Sequence, residues 1–327
     1  MTGKKKIVSA TITLLVCISI ILLLNSLPRS QTPLDKTVSH EERWGIYVLD
    51  LATEQVELIF SSSKKISCPR LNSAGDRFVF SQKINGDTDE HEEICTINVD
   101  GSNFTRLTNN TFWDLYPAWS PDDSQIAFLS WRDTNLDIYK MDANGSNASM
   151  LYDSGSHDAD IHWMADTIVF TAYSKIWAIK DDGTDPVQIT DPPNAGQWGN
   201  ANLPFGDYDP RLSPDGSKVV FERLWDASSP HGNYDIYVIN LDGTGETRLT
   251  NSGYSQGFAA WSHTGDKIVY LVAAIDGEGK YDIYMMNSDG TDNRNITPSY
   301  FPSNLLCHTA IFSLDDSKIF FVGEWWE

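Results

Sequence analysis

Five aspartates recur at two equivalent positions of a repeated segment, and their spacing predicts a cluster of carboxylates. Each copy of the segment has an aromatic residue or leucine just before a turn, and this is the aromatic position of the repeat. The aspartates stand five or three residues before it: Asp114, Asp158 and Asp207 at the first position, Asp160 and Asp209 at the second. Oxygen ligands gathered from separate loops suit a hard cation such as calcium, or a cationic group on a partner. Without such a cation, carboxylates this close would raise one another's pKa.

Two other interpretations of these aspartates remain open. The simpler one is that they are solvated loop residues that stabilise turns. The other is catalytic: if His162 or His308 and the aspartates converged on one ion with an open coordination position, the site would suit a metal-assisted lyase or hydrolase acting on a glycan. If the carboxylates splay into solvent instead, we expect a binding protein.

Two cysteines fall in the same repeated segment. Cys68 and Cys307 lie three and five residues before the aromatic position, in the first and last copies respectively. If the copies close into a ring, these two copies are neighbours, and outside the membrane a disulfide would staple the closure. Such a bond would contribute about 2–4 kcal/mol of stability.

The repeat itself must position these residues. Copies begin at residues 69, 117, 161, 210, 259 and 310, and the clearest read PAWSPDDSQIAF (117–128) and PRLSPDGSKVVF (210–221). Downstream of each copy lies a second signature. It begins with an aromatic-rich segment of alternating pattern such as YDIYVIN (234–240), continues with an AspGly turn and ends in LeuThr or IleThr. These patterns predict four short strands per copy. Such units need neighbours to shield their faces.

Six four-stranded units arranged radially make an all-β, six-bladed β-propeller. The last copy has room for two strands only, and residues 44–60 supply the missing two, so the sixth blade is predicted to be closed by both termini. Because the innermost strands of a propeller line its channel, the five aspartates are predicted to form a crescent at one channel mouth. The crescent would span three consecutive blades.

At these motifs the chain resembles the WD40-like propeller repeats of the TolB type, whose copies read PxWSPDGxxIxF, then DIY, DG and LT. The likeness extends over residues 44–327 and implies the propeller fold. The family's α/β amino-terminal domain has no counterpart in this sequence, so we expect a TolB-like propeller without that domain. The resemblance is specific for fold and much less specific for function.

The amino terminus predicts a membrane anchor. Lys4, Lys5 and Lys6 precede an uncharged apolar run from Ile7 to Leu24, which would span roughly 27 Å as a helix. By the positive-inside rule, residues 1–27 form a signal-anchor helix with a cytoplasmic amino terminus, and the propeller is extracytoplasmic. Residues 28–43 read as a tether. The alternatives are a cleaved signal peptide and a lipoprotein box at Cys17, and both also export the rest of the chain.

Composition narrows the function. The chain of 327 residues carries a net charge of −21, which would repel phosphate backbones, so nucleic-acid binding is excluded. We expect a single-pass, membrane-anchored scaffold that presents its channel mouth to a protein, a peptide or an envelope component. Rigid strands that position variable loops are a common basis for such binding, and no chemistry of its own is expected.

Overall fold

The computed structural model describes residues 42–84, 91–228, 232–273, 281–302 and 305–326. Every regular element in these ranges is a β-strand, and the strands form six sheets of four. No helix in the described part of the chain is long and apolar enough to cross a membrane. The anchor helix predicted in residues 1–27 lies outside the described residues.

The first three blades follow one another along the chain, and each runs from an innermost to an outermost strand. Blade 1 contains β3 (Ile66–Leu71), β4 (Arg77–Lys83), β5 (Glu92–Asn98) and β6 (Thr105–Arg106). Blade 2 contains β7 (Asp114–Trp119), β8 (Gln125–Ser130), β9 (Asp137–Asp142) and β10 (Ser149–Tyr152). Blade 3 contains β11 (Ala159–Met164), β12 (Thr167–Ala172), β13 (Lys175–Lys180) and β14 (Val187–Gln188).

Blades 4 and 5 repeat this order, and blade 6 joins the two ends of the chain. Blade 4 contains β15 (Gly206–Leu212), β16 (Lys218–Asp226), β17 (Asn233–Asn240) and β18 (Thr247–Arg248). Blade 5 contains β19 (Gln256–Trp261), β20 (Lys267–Ala273), β21 (Tyr281–Asn287) and β22 (Arg294–Asn295). Blade 6 contains β23 (Leu305–Phe312), β24 (Lys318–Trp326), β1 (Glu42–Asp50) and β2 (Val56–Ser62), in that order outward.

The predicted closure of the sixth blade by both termini is confirmed. Strand β1 pairs antiparallel with β24 along its whole length, from Glu42 opposite Trp326 to Asp50 opposite Lys318. Because β24 in turn pairs with the innermost strand β23, the first and last described residues lie together at the amino end of that strand.

The core lies between adjacent blades. The residue that ends the repeat motif on the second strand is fully buried in all six blades, and it is aromatic each time: Phe80, Phe128, Phe170, Phe221, Tyr270 and Phe321. Aliphatic residues of the neighbouring blade pack around these rings. Burying such large rings contributes roughly 1.5–3 kcal/mol each, which explains why the repeat keeps an aromatic there.

Every innermost strand contains a β-bulge at the same repeat position. The residue three before the aromatic position has a positive φ, between 38° and 56°, in Cys68, Tyr116, Asp160, Asp209, Phe258 and Thr309. The pairing register with the second strand shifts at each of these places. A bulge inserts one residue and reverses the alternation of side chains beyond it, so residues five and three before the aromatic position lie on opposite faces of a blade.

Candidate functional site

The bulge divides the five predicted aspartates into two separate groups. Asp158, before the bulge, packs toward blade 2, where the charges of Asp137 and Asp153 act on it. Asp160, beyond it, accepts a hydrogen bond from the Asp209 N–H of blade 4. The predicted crescent placed Asp158 and Asp160 at one channel mouth, and the structure separates them because the bulge inserts a residue between them.

Two aspartates of the first group have partners within their own blade. Asp114 is fully buried and accepts hydrogen bonds from Ser130 and Asn110. The carboxylate of Asp207, also fully buried, receives Arg223 Nε at 2.6 Å and Nη2 at 2.9 Å. Burial raises the pKa of both carboxyls. These residues are bound within their own blades and do not form an open mouth.

Asp158 and Asp137 form a different arrangement between blades 2 and 3. Asp158 is 0% exposed and Asp137 is 2% exposed. Neither oxygen of Asp158, nor Oδ1 of Asp137, has a hydrogen-bond partner among the described residues. Burial and the charge of Asp137 raise the pKa of Asp158 to about 8, despite the nearby Ser154. Burial, with Asp153, raises the pKa of Asp137 to about 7.

The second group, Asp160 and Asp209 beyond the bulge, lies beside the guanidinium group of Arg211. Arg211 Nη2 lies 2.5 Å from Asp209 Oδ1, and Asp160 lies beside this pair. Glu222 accepts a hydrogen bond from the Phe258 N–H at 3.0 Å. Burial, followed by the charge of Asp209, raises the pKa of Asp160 to about 7 and that of Glu222 well above its usual range.

The structure does not assemble the calcium site expected from the aspartates. No three His, Cys, Asp or Glu side chains in the described ranges are arranged to hold a metal ion. The physical reason is the separation of Asp158 from Asp160 by the bulge, together with the occupation of the Asp209 carboxylate by Arg211. The predicted crescent is therefore two unconnected sets of buried carboxylates.

The two histidines do not converge on the aspartates either. His162 Nδ1 accepts a hydrogen bond from the Leu212 N–H at 3.1 Å. Burial, Arg211 and Arg70 lower the pKa of His162 well below its usual value, so this ring is neutral at pH 7 and carries its proton on Nε2. His308 Nε2 instead lies 2.9 Å from Glu324 Oε2 in blade 6.

The predicted disulfide between Cys68 and Cys307 is absent, and both residues are buried thiols. The bulge again explains the difference. Cys68 packs with Leu115 and Tyr116 of blade 2, whereas Cys307 packs with Leu271 and other residues of blade 5. The two side chains point away from the interface that blades 1 and 6 share.

A cavity of about 400 Å³ lies on the propeller axis, at the end where the innermost strands finish. It is at the opposite end of these strands from Asp114, Asp158 and Asp207. All six blades contribute to its wall, which is largely apolar and aromatic and includes Trp119, Trp163, Trp261 and Phe312. The volume is at the lower end of the roughly 300–1,000 Å³ usual for ligand pockets. The repeat motifs did not predict this cavity.

The residues one before the aromatic position form a ring around the cavity. They are basic in blades 1, 3 and 4 and small or apolar in blades 2, 5 and 6: Arg70, His162 and Arg211 against Ala118, Ala260 and Ile311. The signal was present in the sequence, because the alignment that revealed the aspartates also aligns these residues. Arg70 and Arg211, which are charged residues in strands predicted to be buried, indicate in the sequence that this position lines the channel.

Arg70 and Arg211 differ in their partners. Arg211 binds the Asp209 carboxylate and donates to the Pro210 carbonyl oxygen. Arg70 is 9% exposed and donates to the Pro69 carbonyl oxygen at 3.0 Å, while its Nε has no partner within the described residues. Burial and the positive charge of Arg211 lower the pKa of Arg70 to about 10, so it remains charged at pH 7.

The fold and this axial cavity together define a class: a six-bladed β-propeller with a pocket where its innermost strands end. Residues 37–191 match the family described as TolB beta propeller domain. This part of the chain therefore matches the TolB-type β-propeller repeat that its motifs predicted.

Individual relatives are distant. A protein TolB homolog of Chlorobium luteolum is 28% identical over 189 residues, which are 56% of this chain and 38% of the relative. An uncharacterized protein of Agrobacterium fabrum is 28% identical over 178 residues, 51% of this chain and 57% of the relative. The match thus spans less than two thirds of each relative.

A solved structure shows the same fold over most of the chain. It is a candidate TolB from Agrobacterium tumefaciens, with a TM-score of 0.65 and 15% sequence identity. The superposition covers 89% of this chain and 99% of that one. At this identity the likeness is evidence for the propeller architecture only.

Proposed function

We propose that this protein is a non-catalytic binding scaffold that holds a segment of a partner protein in the axial cavity. The observation that carries the proposal is the cavity itself, which all six blades border and whose wall is rich in tryptophan. Aromatic residues in a concave, desolvated pocket supply much of the binding energy in protein interfaces. Leu314 at the cavity is 44% exposed, so apolar surface is available to a partner.

The arrangement of acidic groups supports binding rather than catalysis. No carboxylate is among the residues that line the cavity. The buried carboxylates near the channel either pair with arginines, as Asp207 and Asp209 do, or lie between blades, as Asp158 does. A general acid or base has to reach the reacting atoms, and these groups are held elsewhere.

We also propose that the propeller is extracytoplasmic and attached to the membrane by its amino terminus. The support is the sequence: a cluster of Lys4, Lys5 and Lys6 before the apolar run from Ile7 to Leu24. The partner on this proposal is a protein, a peptide or another envelope component on the same side of the membrane.

Site-specific photo-crosslinking of the full-length protein in its own cells tests the scaffold. A photoreactive residue replaces Leu314 at the cavity, and in a control it replaces Leu58, which is 51% exposed on the outermost strand β2 of the same blade. We expect a protein adduct from position 314 that is absent from position 58. The variant Ala260→Trp, which fills the cavity, should abolish it. Equal adducts from both positions, or none from position 314, would contradict the proposal.

A further inference from the structure

Arg70 is a buried cation without an ion pair in the described part of the chain. It is 9% exposed, its guanidinium donates to one backbone carbonyl oxygen, and its Nε has no partner in the described residues. A buried charge is strongly unfavourable unless an opposite charge compensates it. Other buried arginines of this propeller follow that rule, since Arg211 binds Asp209 and Arg223 binds Asp207.

The nearby carboxylates do not supply the missing negative charge. Asp209 is engaged by Arg211 at 2.5 Å. Burial favours the neutral forms of Asp160 and Glu222, because it raises the pKa of both carboxyls. Two guanidinium groups, on Arg70 of blade 1 and Arg211 of blade 4, therefore share the charge of the Asp209 carboxylate.

Aromatic rings of the cavity wall carry further N–H donors. His162 uses Nδ1 as an acceptor for the Leu212 N–H, so its Nε2 carries a proton. The indole N–H groups of Trp119 and Trp163 have no hydrogen-bond partner among the described residues, whereas that of Trp261 donates to the Arg211 carbonyl oxygen. A ligand that complements this side must bring acceptor oxygens and a negative charge.

We propose that the cavity binds a carboxylate and that Arg70 is the residue that receives it. This inference rests on the proposed scaffold function and specifies its ligand: the carboxylate of an apolar peptide segment, either a carboxyl terminus or an Asp or Glu side chain. The peptide is favoured because much of the wall is apolar, including Ile311, Phe312 and Leu314 of blade 6, which neighbours the blade of Arg70. A planar guanidinium matches a carboxylate with two parallel hydrogen bonds.

A peptide-retention experiment tests the assignment. The full-length protein is equilibrated with a pool of N-acetylated tetrapeptides of random sequence, half with a free carboxyl terminus and half amidated. Retained peptides are counted by mass spectrometry after rapid desalting. We expect peptides with a carboxylate to be enriched by about tenfold or more, the size of a charge-assisted hydrogen bond. Enrichment restricted to free termini identifies a terminal carboxylate, and enrichment of amidated Asp or Glu peptides identifies a side chain.

Variants connect the enrichment to Arg70. Arg70→Gln should remove it and Arg70→Lys should retain part of it. Arg294→Gln is the matched control, since Arg294 is exposed and its ion-pair partner within the described residues is the exposed Asp292. Retention without a preference for carboxylates, equal enrichment by Arg70→Gln, or no retention by the unsubstituted protein would overturn the inference. The crosslink at position 314 decides the scaffold function separately.

Thermal stability separates a binding role from a structural one. Without ligand, Arg70→Met should raise the Tm by a few degrees, because replacing an uncompensated buried charge with an apolar side chain is neutral or stabilising. The same variant should retain no carboxylate peptides. A Tm lowered by several degrees would show that Arg70 holds the fold together, and the proposal would fail even if peptide retention were lost.

Discussion

Asp137 of blade 2 lacks the arginine partner that the equivalent acidic residue has in two other blades. In blades 1 and 4 the acidic residue of the third strand pairs with an arginine on the fourth, Glu93 with Arg106 and Asp235 with Arg248. The register places Met150 at the arginine position of blade 2. Asp137 therefore lacks that partner and lies near Asp158 instead.

The stability of the propeller should depend on the protonation of Asp158. Its pKa rises from 3.8 to about 8 on folding, so the folded state binds this proton more tightly than the unfolded state does. The contribution to stability is therefore complete below about pH 4 and is lost as the pH rises through 8. Asp158→Asn should be more stable than the unsubstituted protein at pH 8, by about 1–3 kcal/mol, with a smaller gain at pH 5.

Thermal melts of both proteins at pH 5 and pH 8 measure this difference. Asp122→Asn is the control, because hydrogen bonds from Ser120 and Ser124 lower the pKa of Asp122 to about 2. Its effect on the Tm should be the same at both pH values. A pH-independent effect of Asp158→Asn would show that Asp158 does not change protonation in this range.

The residues of the site were only partly predictable from sequence. Alignment on the aromatic position identified the aspartates; the same alignment contains Arg70 and Arg211 one position before the aromatic residue, but their place at the channel was not predicted. The alignment gave no sign of the bulge. The residues with positive φ at the bulge position include a cysteine, Cys68, and a phenylalanine, Phe258, and they share no side-chain chemistry. Without the bulge, the face on which each carboxylate lies was assigned incorrectly.

At the scale of the strand, the LeuThr and IleThr signature has a clear structural cause. The threonine hydroxyl accepts a hydrogen bond from the backbone N–H at the second residue of the Asp-Ile-Tyr signature or its equivalent. Four blades share this bond: Thr108 with Ile94, Thr190 with Ile176, Thr250 with Ile236 and Thr297 with Ile283. The fourth strand is only two residues long in these blades, so the threonine fastens it to the third strand.

Thr250→Val should destabilise the protein by about 1–2 kcal/mol, because the buried Ile236 N–H loses its acceptor. The valine keeps the shape of the side chain, so the change isolates the hydroxyl group. Thr247→Val on the same strand is the control, since its hydroxyl contacts only the exposed Gly245 carbonyl oxygen. Urea denaturation measures both variants, and equal midpoints for the two would refute a fastening role for Thr250.

Asp123 links the turn of blade 2 to that of blade 1. Its carboxylate accepts hydrogen bonds from the Ser73 N–H at 2.7 Å and the Ser73 hydroxyl at 2.8 Å. Asp316 makes equivalent bonds from blade 6 to His263 and Thr264 of blade 5. Blade 4 has Gly216 at this position of the turn, which also has a positive φ.

Substitutions at Asp123 should separate the two contributions of this residue. Asp123→Gly keeps the positive φ without strain and loses the bonds between blades. Asp123→Ala loses the bonds and also strains the backbone, at about 1–2 kcal/mol for φ near 58°. We therefore expect alanine to lower the denaturation midpoint more than glycine does, and both to lower it. A glycine variant as stable as the unsubstituted protein would show that the bonds contribute nothing.

At the scale of the whole molecule, two glycines allow the chain ends to close the ring. Gly45 of β1 lies opposite Gly323 of β24, and the ring of Tyr47 lies against both of them. Tyr47 also stacks on Phe321, with ring centroids 5.3 Å apart. The two terminal segments thus interlock through one aromatic side chain.

Gly323→Ala should weaken this closure. A Cβ at position 323 would lie 2.6 Å from Tyr47 Cε2 and 2.9 Å from Leu305 Cδ1. Relieving such overlap costs about 1–3 kcal/mol in a packed region. Combined with Tyr47→Leu, the alanine should be better tolerated, so a double-mutant cycle by chemical denaturation measures the coupling. Additive effects of the two substitutions would exclude a direct clash.

The architecture was far more predictable than the site. Six copies of one pattern and two complementary half-copies at the ends define the number of blades and the closure without any atomic detail. The cavity depends on how strands end and on which way single side chains turn after the bulge. Those properties follow from packing between blades, which the repeat does not encode.

The closure of blade 6 also places the first described residue at the end of the propeller opposite the cavity. Glu42 and Trp326 meet at the amino end of β23, whereas the cavity lies at the carboxyl end, beside Phe312 and Leu314. Any support attached through residue 42, whether a bilayer, a fusion tag or a sensor chip, lies behind the propeller. A molecule that enters the cavity would therefore approach from the side opposite to that support.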